Sequence, residues 1–189
     1  GNYTYPDFAK WEQGSFDNLT TTNIIPQNAM QWLLKYEITQ QDVDNYNIGW
    51  NNEHQMLVLV NTPSYYQARN FSNYGAKYLS KGHKPLIFYG NGAILVCVED
   101  ILSAIKIAKA NKNVTTIPLL GSTMSLELTG TILKRFKIVK VWLDRDKAIE
   151  AVKMVRNLKQ KGVDADVIIT DKDPKEYNTK EINEWLKSR

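Results

Sequence analysis

A chain of 189 residues, 43% hydrophobic and 23% charged, holds enough apolar material for one well-buried domain or two small ones and has the composition of an ordinary soluble globular protein. No apolar run approaches the roughly 20 residues of a membrane span, and the basic, apolar and small-residue succession of a secretion signal is missing, so a cytoplasmic protein is expected. Cys97, the single cysteine, excludes an internal disulfide and any thiolate zinc cluster, and its place inside an apolar run makes it a small core hydrophobe.

The charge is uneven. Up to Gly92 there are 6 Lys and Arg against 7 Asp and Glu, and from Ala93 onward 18 against 13. Lys134, Arg135, Lys137, Lys140, Arg145, Lys147, Lys153, Arg156, Lys159 and Lys161 form a dense basic series. Such a series either meets a polyanion or forms solvated helix faces, and the second reading covers most of these lysines. Gly1 stands where a complete chain would start with Met, as expected of a processed protein or a piece of a longer one.

Residues 1–23 are polar and aromatic without periodicity and read as irregular. Pro26 suits the first turn of a helix, and Met30, Leu33 and Leu34 follow at helical spacing to about Tyr36. Thr39 with Asp42 starts a short helix to about Asn45. The period then changes, and 48–50, 56–60 and 65–69 read as short antiparallel strands. Gly75 and Gly82 bracket an exposed connector over 76–81, before a strand over 86–89. The first 92 residues thus form an N-terminal α+β subdomain.

From Ala93 strands and helices alternate. The apolar run 93–98 is a strand and 100–110 a helix striped by Ile101, Ala104, Ile105 and Ala108. A strand over 115–119, a tight loop at Gly121, Ser122 and Thr123, and a helix over 125–136 follow. A strand then runs from Ile138 to Leu143. The next helix buries Ala148, Ala151, Val152, Val155 and Leu158 and stops at Gly162. A last strand over 167–169, a turn at 171–174 and a helix over 178–187 with a capping box at Asn178 and Glu181 complete the chain. Alternation of this kind predicts an α/β domain over 93–189, a parallel sheet with helices on both faces.

Two of its strands deliver carboxylates at their C-terminal ends, Glu99 after one and Asp144 and Asp146 after the other. Ligands of open parallel sheets bind beyond those ends. Alternate residues of a strand point the same way, so Asp144 and Asp146 are expected to share a cavity from which Arg145 turns away. Clustered carboxylates repel one another, and a hard divalent cation compensates them. A magnesium site acting on phosphates is the expectation.

The glutamate after Val98 with its following helix, the run Leu143 Asp144 Arg145 Asp146, and the turn Lys172 Asp173 Pro174 resemble the toprim domain shared by primases, topoisomerases and some nucleases. Ala76 Lys77 Tyr78 Leu79, Leu120 Gly121 Ser122 Thr123, and the helix around Trp32 followed by Tyr46 Asn47 Ile48 Gly49 Trp50 narrow the resemblance. Together they resemble the RNA polymerase core of bacterial and phage DNA primases, over about 26–186. Asp100 stands where members usually have Gly, Ser103 where some have an acid, and Ile149 where Gly is frequent.

The resemblance implies template-directed synthesis of short RNA primers from ribonucleoside triphosphates on single-stranded DNA. It implies Glu99 near the 3′-hydroxyl or a metal, Asp144 and Asp146 on Mg2+ or Mn2+ with Asp173 assisting, and Arg69 and Lys77 on nucleotide or template phosphates. Arg69 is equally an ordinary surface charge. A replicative helicase and a separate or deleted zinc-binding domain are the further partners, and a bacterial host cytoplasm the compartment if a phage encodes the chain. His54 and His83 lack ligand spacing and read as surface residues, and Tyr65, Tyr66 and Phe71 as exposed aromatics able to stack on bases. The same acids would serve a toprim nuclease with water as nucleophile. A non-catalytic single-strand-binding replisome module, indifferent to magnesium, is the alternative from another class.

Overall fold

The computed structural model describes residues 18–187, and of the irregular stretch expected over 1–23 the first 17 residues lie outside them. The chain divides into two compact units at Pro85 and Leu86.

In the first unit, helix α1 (Gln27–Lys35) follows Pro26, whose extended backbone at φ −61° serves as N-cap, and buries Ala29 and Leu33. Helix α2 (Gln40–Asn45) begins with a reciprocal capping box. The Thr39 backbone N–H donates to Asp42 Oδ2 at 2.8 Å while the Asp42 N–H donates to Thr39 Oγ1 at 3.3 Å, so two donors that a helix start leaves orphaned are satisfied. Strands β1 (Gly49–Asn51), β2 (Met56–Thr62), β3 (Tyr65–Asn70) and β4 (Tyr78–Gly82) form an antiparallel sheet in chain order.

Strand β4 is where a connector was expected. It pairs along β3 from Arg69 opposite Tyr78 to Tyr65 opposite Gly82, and its residues Tyr, Leu, Ser, Lys and Gly carry too little apolar alternation to announce an edge strand. Tyr65 and Tyr66, expected at the surface, are 2% and 0% exposed, and Phe71 is half-buried. Strand β3 lies inside the sheet between β2 and β4, and Tyr66 packs with Leu19, Met56, Val58 and Ala68. His54 is half-buried too: the Asn51 side chain accepts its backbone N–H at 2.8 Å and folds the turn inward.

The second unit is an α/β domain. Strands β5 (Ile94–Val98), β6 (Val114–Pro118), β7 (Ile138–Val141) and β8 (Asp164–Val167) form a parallel sheet in the order β6-β5-β7-β8. Helix α3 (Ile101–Ala110) joins β5 to β6, α4 (Leu126–Arg135) joins β6 to β7, and α5 (Ala148–Gln160) joins β7 to β8, with α6 (Thr179–Lys187) last. Helices α4 and α5 supply Leu128, Ile132, Ala151, Met154, Val155 and Leu158 to a core with Leu95, Cys97, Val139 and Val141 of the strands. Helices α3 and α6 pack together away from that core. The mixed architecture agrees with the sequence reading.

Two strands differ from expectation. β8 begins three residues earlier, at Asp164, because an edge strand tolerates Asp164 and Asp166 that disguise it in the sequence. Residues 86–92 make no strand: only Tyr89 pairs, exchanging backbone hydrogen bonds of 2.9 and 2.7 Å with Thr116. The Gly92 N–H donates to Val114 O at 3.2 Å, which ties this segment to β6 and to the second unit.

That approach requires glycine. A Cβ on Gly92 would stand 2.0 Å from the Asn113 carbonyl carbon and 2.1 Å from Val114 N, atoms of backbone that cannot yield. Gly92→Ala is therefore expected to cost about 2 kcal/mol or more. Gly130, in the middle of α4, has nothing within 4 Å of its would-be Cβ, and Gly130→Ala is expected to add about 0.5–1 kcal/mol. Thermal denaturation of the two variants should move in opposite directions.

Candidate active site

Strands β5 and β7 are neighbours, yet the chain leaves β5 towards β6 on one side and β7 towards β8 on the other. Beyond their carboxyl ends lies the crevice that such a reversal of strand order opens. Glu99 follows β5 directly. Asp144 follows β7, whose line continues through Trp142, the Trp142 N–H donating to Cys97 O at 2.8 Å. The Asp144 backbone N–H then donates to Glu99 Oε2 at 3.0 Å, so the Glu99 side chain spans the crevice and fixes where Asp144 starts.

Three acids meet there. Burial pushes the Asp144 carboxyl up to about 8, and the Glu99 and Asp173 carboxyls beside it add to the rise. Its Oδ1 is buried and no donor reaches it. Carboxylates facing one another can only accept unless a proton is shared, so the cluster is short of positive charge.

Asp173 arrives from the loop after β8 and caps a single 3₁₀ turn, Pro174–Glu176, with Glu176 Oε2 accepting its N–H at 3.1 Å. Lys175 projects back from that turn, its Nζ 3.0 Å from Asp173 Oδ2 and 3.3 Å from Asp100 Oδ2. Burial pulls the Lys175 ammonium down, and the two carboxylates more than offset it, so it stays charged. Asp100 is the N-cap of α3, its Oδ1 accepting the Ser103 N–H at 2.9 Å and its Oδ2 the Ser103 hydroxyl at 3.0 Å.

Deeper groups hold this loop. Lys106 of α3, 6% exposed, donates from Nζ to the carbonyls of Lys175 at 2.9 Å and Tyr177 at 2.5 Å. The buried Trp142 Nε1 donates to Thr170 Oγ1 at 3.0 Å, and that hydroxyl donates to Lys172 O at 2.7 Å. Lys175, Lys106 and Thr170 were not visible as functional residues in the sequence. The one local signal was Asp100 and Ser103 at capping spacing, which fixes the start of α3 and hence the place of Lys106.

Asp146 is more exposed than Asp144. The chain turns at Asp144 into a 3₁₀ segment, Arg145–Lys147, instead of continuing extended, and Asp146 is exposed on it. Arg145 is exposed as well and pairs with Asp171 in solvent. Lys140, part of the basic series, points into the fold at 7% exposure.

In the first unit, Arg69 is half-buried. Its guanidinium lies 4.8 Å from the Phe71 ring centroid and 5.5 Å from those of Trp32 and Tyr78, while Nη1 donates to Asn70 O at 2.5 Å. Its Nε is buried without an acceptor. Lys77 is exposed just before β4, its carbonyl accepting the Asn70 N–H at 2.8 Å.

Among the described residues no group of three or more His, Cys, Asp or Glu side chains is already set to hold a metal ion. The donor chemistry nevertheless fits Mg2+ or Mn2+, because the orphaned Asp144 Oδ1 and the Glu99 carboxylate offer hard oxygens. Magnesium takes one or two carboxylates and completes its shell with water and substrate phosphates.

Neither a protein-family model nor a curated protein matches the sequence. Solved structures do match the fold. The structure of the DnaG primase catalytic domain bound to single-stranded DNA superposes with a TM-score of 0.63 at 14% identity, over 85% of this chain and 71% of that one. The fold is that of a primase catalytic core. The E. coli primase catalytic core gives a TM-score of 0.58 at 15% identity, over 78% of this chain and 67% of that one. The Aquifex aeolicus primase with its zinc-binding and RNA polymerase domains gives 0.55 at 14% identity, over 86% of this chain and 49% of that one. Among the described residues no helix is long and apolar enough to cross a membrane.

Proposed function

We propose that this chain is a toprim-type primase catalytic core that joins ribonucleotides on a single-stranded DNA template. The observation that carries the reading is the half-buried Asp144 carboxylate, its Oδ1 without a partner, beside Glu99 and Asp173 at the switch point of a fold shared with primase cores.

In this reading Glu99 and Asp144 hold Mg2+ or Mn2+, with Asp173 at their side and the exposed Asp146 within one turn of Asp144. A bound divalent ion supplies charge neutralisation on the transferring phosphate and its pyrophosphate leaving group. Glu99 does two things at once: it presents an oxygen to the site, and through the Asp144 N–H it fixes the backbone from which the second carboxylate projects. Trp142, Leu143 and Cys97 beneath the acids are buried and keep water from the floor of the crevice. Lys77 and Arg69 are assigned to phosphates of template or nucleotide, contacts that add affinity without reading sequence. Arg69, packed among three rings, presents a guanidinium already immobilised.

One cysteine leaves these 189 residues without a thiolate zinc ribbon. The proposal therefore assigns template recognition to a separate chain or a further domain, and unwinding to a replicative helicase. Phage origin, which would place the chain in a bacterial cytoplasm, belongs to the same proposal.

The test is incubation with single-stranded template, labelled ribonucleoside triphosphates and Mg2+ or Mn2+. Short labelled oligonucleotides that vanish on chelation are the expected product. Shortening of the template without product would instead make the chain a nuclease, and template binding unchanged by chelation, without either reaction, a binding module.

A further inference from the structure

The acid cluster is not uniform. Glu99 and Asp144 are bridged by a backbone hydrogen bond, with Asp144 Oδ1 buried and unpartnered. Asp173, beside Asp144, shares a different neighbour with Asp100: the Lys175 ammonium sits between these two, 3.3 Å from Asp100 Oδ2 and 3.0 Å from Asp173 Oδ2. We propose that Lys175 is an internal counter-ion: it fills the cation position between Asp100 and Asp173 and leaves the Glu99 and Asp144 side as the seat of a single divalent ion. This inference rests on the metal-dependent reading above.

The geometry makes Lys175 a fixture. Its side chain is 17% exposed, less than the 34% of Asp100 and the 32% of Asp173 that it joins. Its backbone is pinned from below, since Lys106 Nζ donates to the Lys175 carbonyl at 2.9 Å, and Pro174 before it is buried. Asp100 is equally committed: Oδ1 takes the Ser103 N–H, and Oδ2 takes both the Ser103 hydroxyl and the ammonium. A divalent ion entering between Asp100 and Asp173 would have to displace the ammonium and break the cap of α3. At Asp144 Oδ1 an ion meets an oxygen that lacks any donor. A point charge with three donors on a flexible stem suits a fixed counter-ion that must reach two carboxylates. Lys175 is thus a positioning residue, holding Asp173 beside Asp144 without touching the reacting atoms.

The experiment is a Mn2+ titration of the full chain, followed by electron paramagnetic resonance and calorimetry, in the absence of nucleotide and template. Wild type is expected to bind one Mn2+ per chain, and Lys175→Met, which keeps the stem and removes the charge, to bind two, with the Mn–Mn coupling of neighbouring ions. Lys175→Arg, restoring a cation, should return the count to one. Two ions in wild type, or one in a folded Lys175→Met, overturn the proposal; where Lys175→Met does not fold, Lys175→Gln is read by the same count. No Mn2+ bound to any form overturns the metal-dependent reading and the counter-ion with it. A count that moves from one to two while primer synthesis is absent from all forms supports the counter-ion and overturns only the primase assignment.

Discussion

Under the proposed metal-dependent reading, replacing Asp144 with alanine is expected to cut oligonucleotide synthesis by at least about a hundredfold, since a carboxylate that holds a catalytic divalent ion secures several kcal/mol of transition-state stabilisation. The same loss should leave the fold intact or firmer. In the metal-free chain Asp144 is held up to about 8 by burial and by Glu99 and Asp173, against 3.8 when exposed. Between those values the folded chain keeps a proton that the unfolded chain has released. This contribution to stability is complete below about pH 4, declines as the pH climbs, and is lost above about 8. Asp144→Asn cannot release a proton, so its denaturation midpoint should not show that decline, and without metal at pH 8 it should exceed wild type. Activity and stability moving in opposite directions is the mark of a carboxylate kept for chemistry. Arg145→Ala, one residue away, removes only an exposed ion pair with Asp171 and should change stability by under about 0.5 kcal/mol. If Asp144→Ala lost stability and activity together, Asp144 would be a structural acid and the metal assignment would fall.

The α/β unit was legible because two of its strands are continuous apolar runs followed by acids, and its helices carry stripes broken by Asp100, Ser125 and Gly162. Those are local signals, and the structure keeps them: Asp100 and Ser125 cap α3 and α4, and Gly162 follows α5 at φ +89°. Strand β4 and the early start of β8 escaped for one physical reason, that edge strands draw their stability from backbone pairing and need no apolar alternation. Glu99 and Asp144 could be placed at the carboxyl ends of two strands from the sequence, while the sheet order β6-β5-β7-β8 makes those strands neighbours. The exposure of Asp146 could not be foreseen, because it depends on the chain tightening into a 3₁₀ turn at Arg145. Nor could the pairing of Lys175 with Asp100, residues 75 positions apart, which only the fold brings within 3.3 Å.

The loop that carries Asp173 depends on Lys106, a residue of helix α3. Lys106 is 6% exposed and donates to two backbone carbonyls, those of Lys175 and Tyr177. Lys106→Met keeps the apolar stem of the side chain but leaves both carbonyls without that donor. The stabilisation lost is about 2–5 kcal/mol, the scale of charge-assisted hydrogen bonds in a dry place. Lys112→Met, on the exposed turn after α3, should stay within about 0.5 kcal/mol of wild type in the same urea titration. The larger consequence is at a distance. With the carbonyl of Lys175 released, its ammonium no longer has a fixed origin and Asp173 is no longer held beside Asp144. Mn2+ affinity is therefore expected to fall in Lys106→Met although no metal-facing oxygen has been altered, measured under conditions where the variant is fully folded. Unchanged affinity would mean that the 3₁₀ turn at Pro174 and its Glu176 cap set Asp173 by themselves. Coupling of this kind follows from how the site is built: Glu99 and Asp144 sit on paired strand ends, while Asp173 lies on a loop fastened to α3 by Lys106.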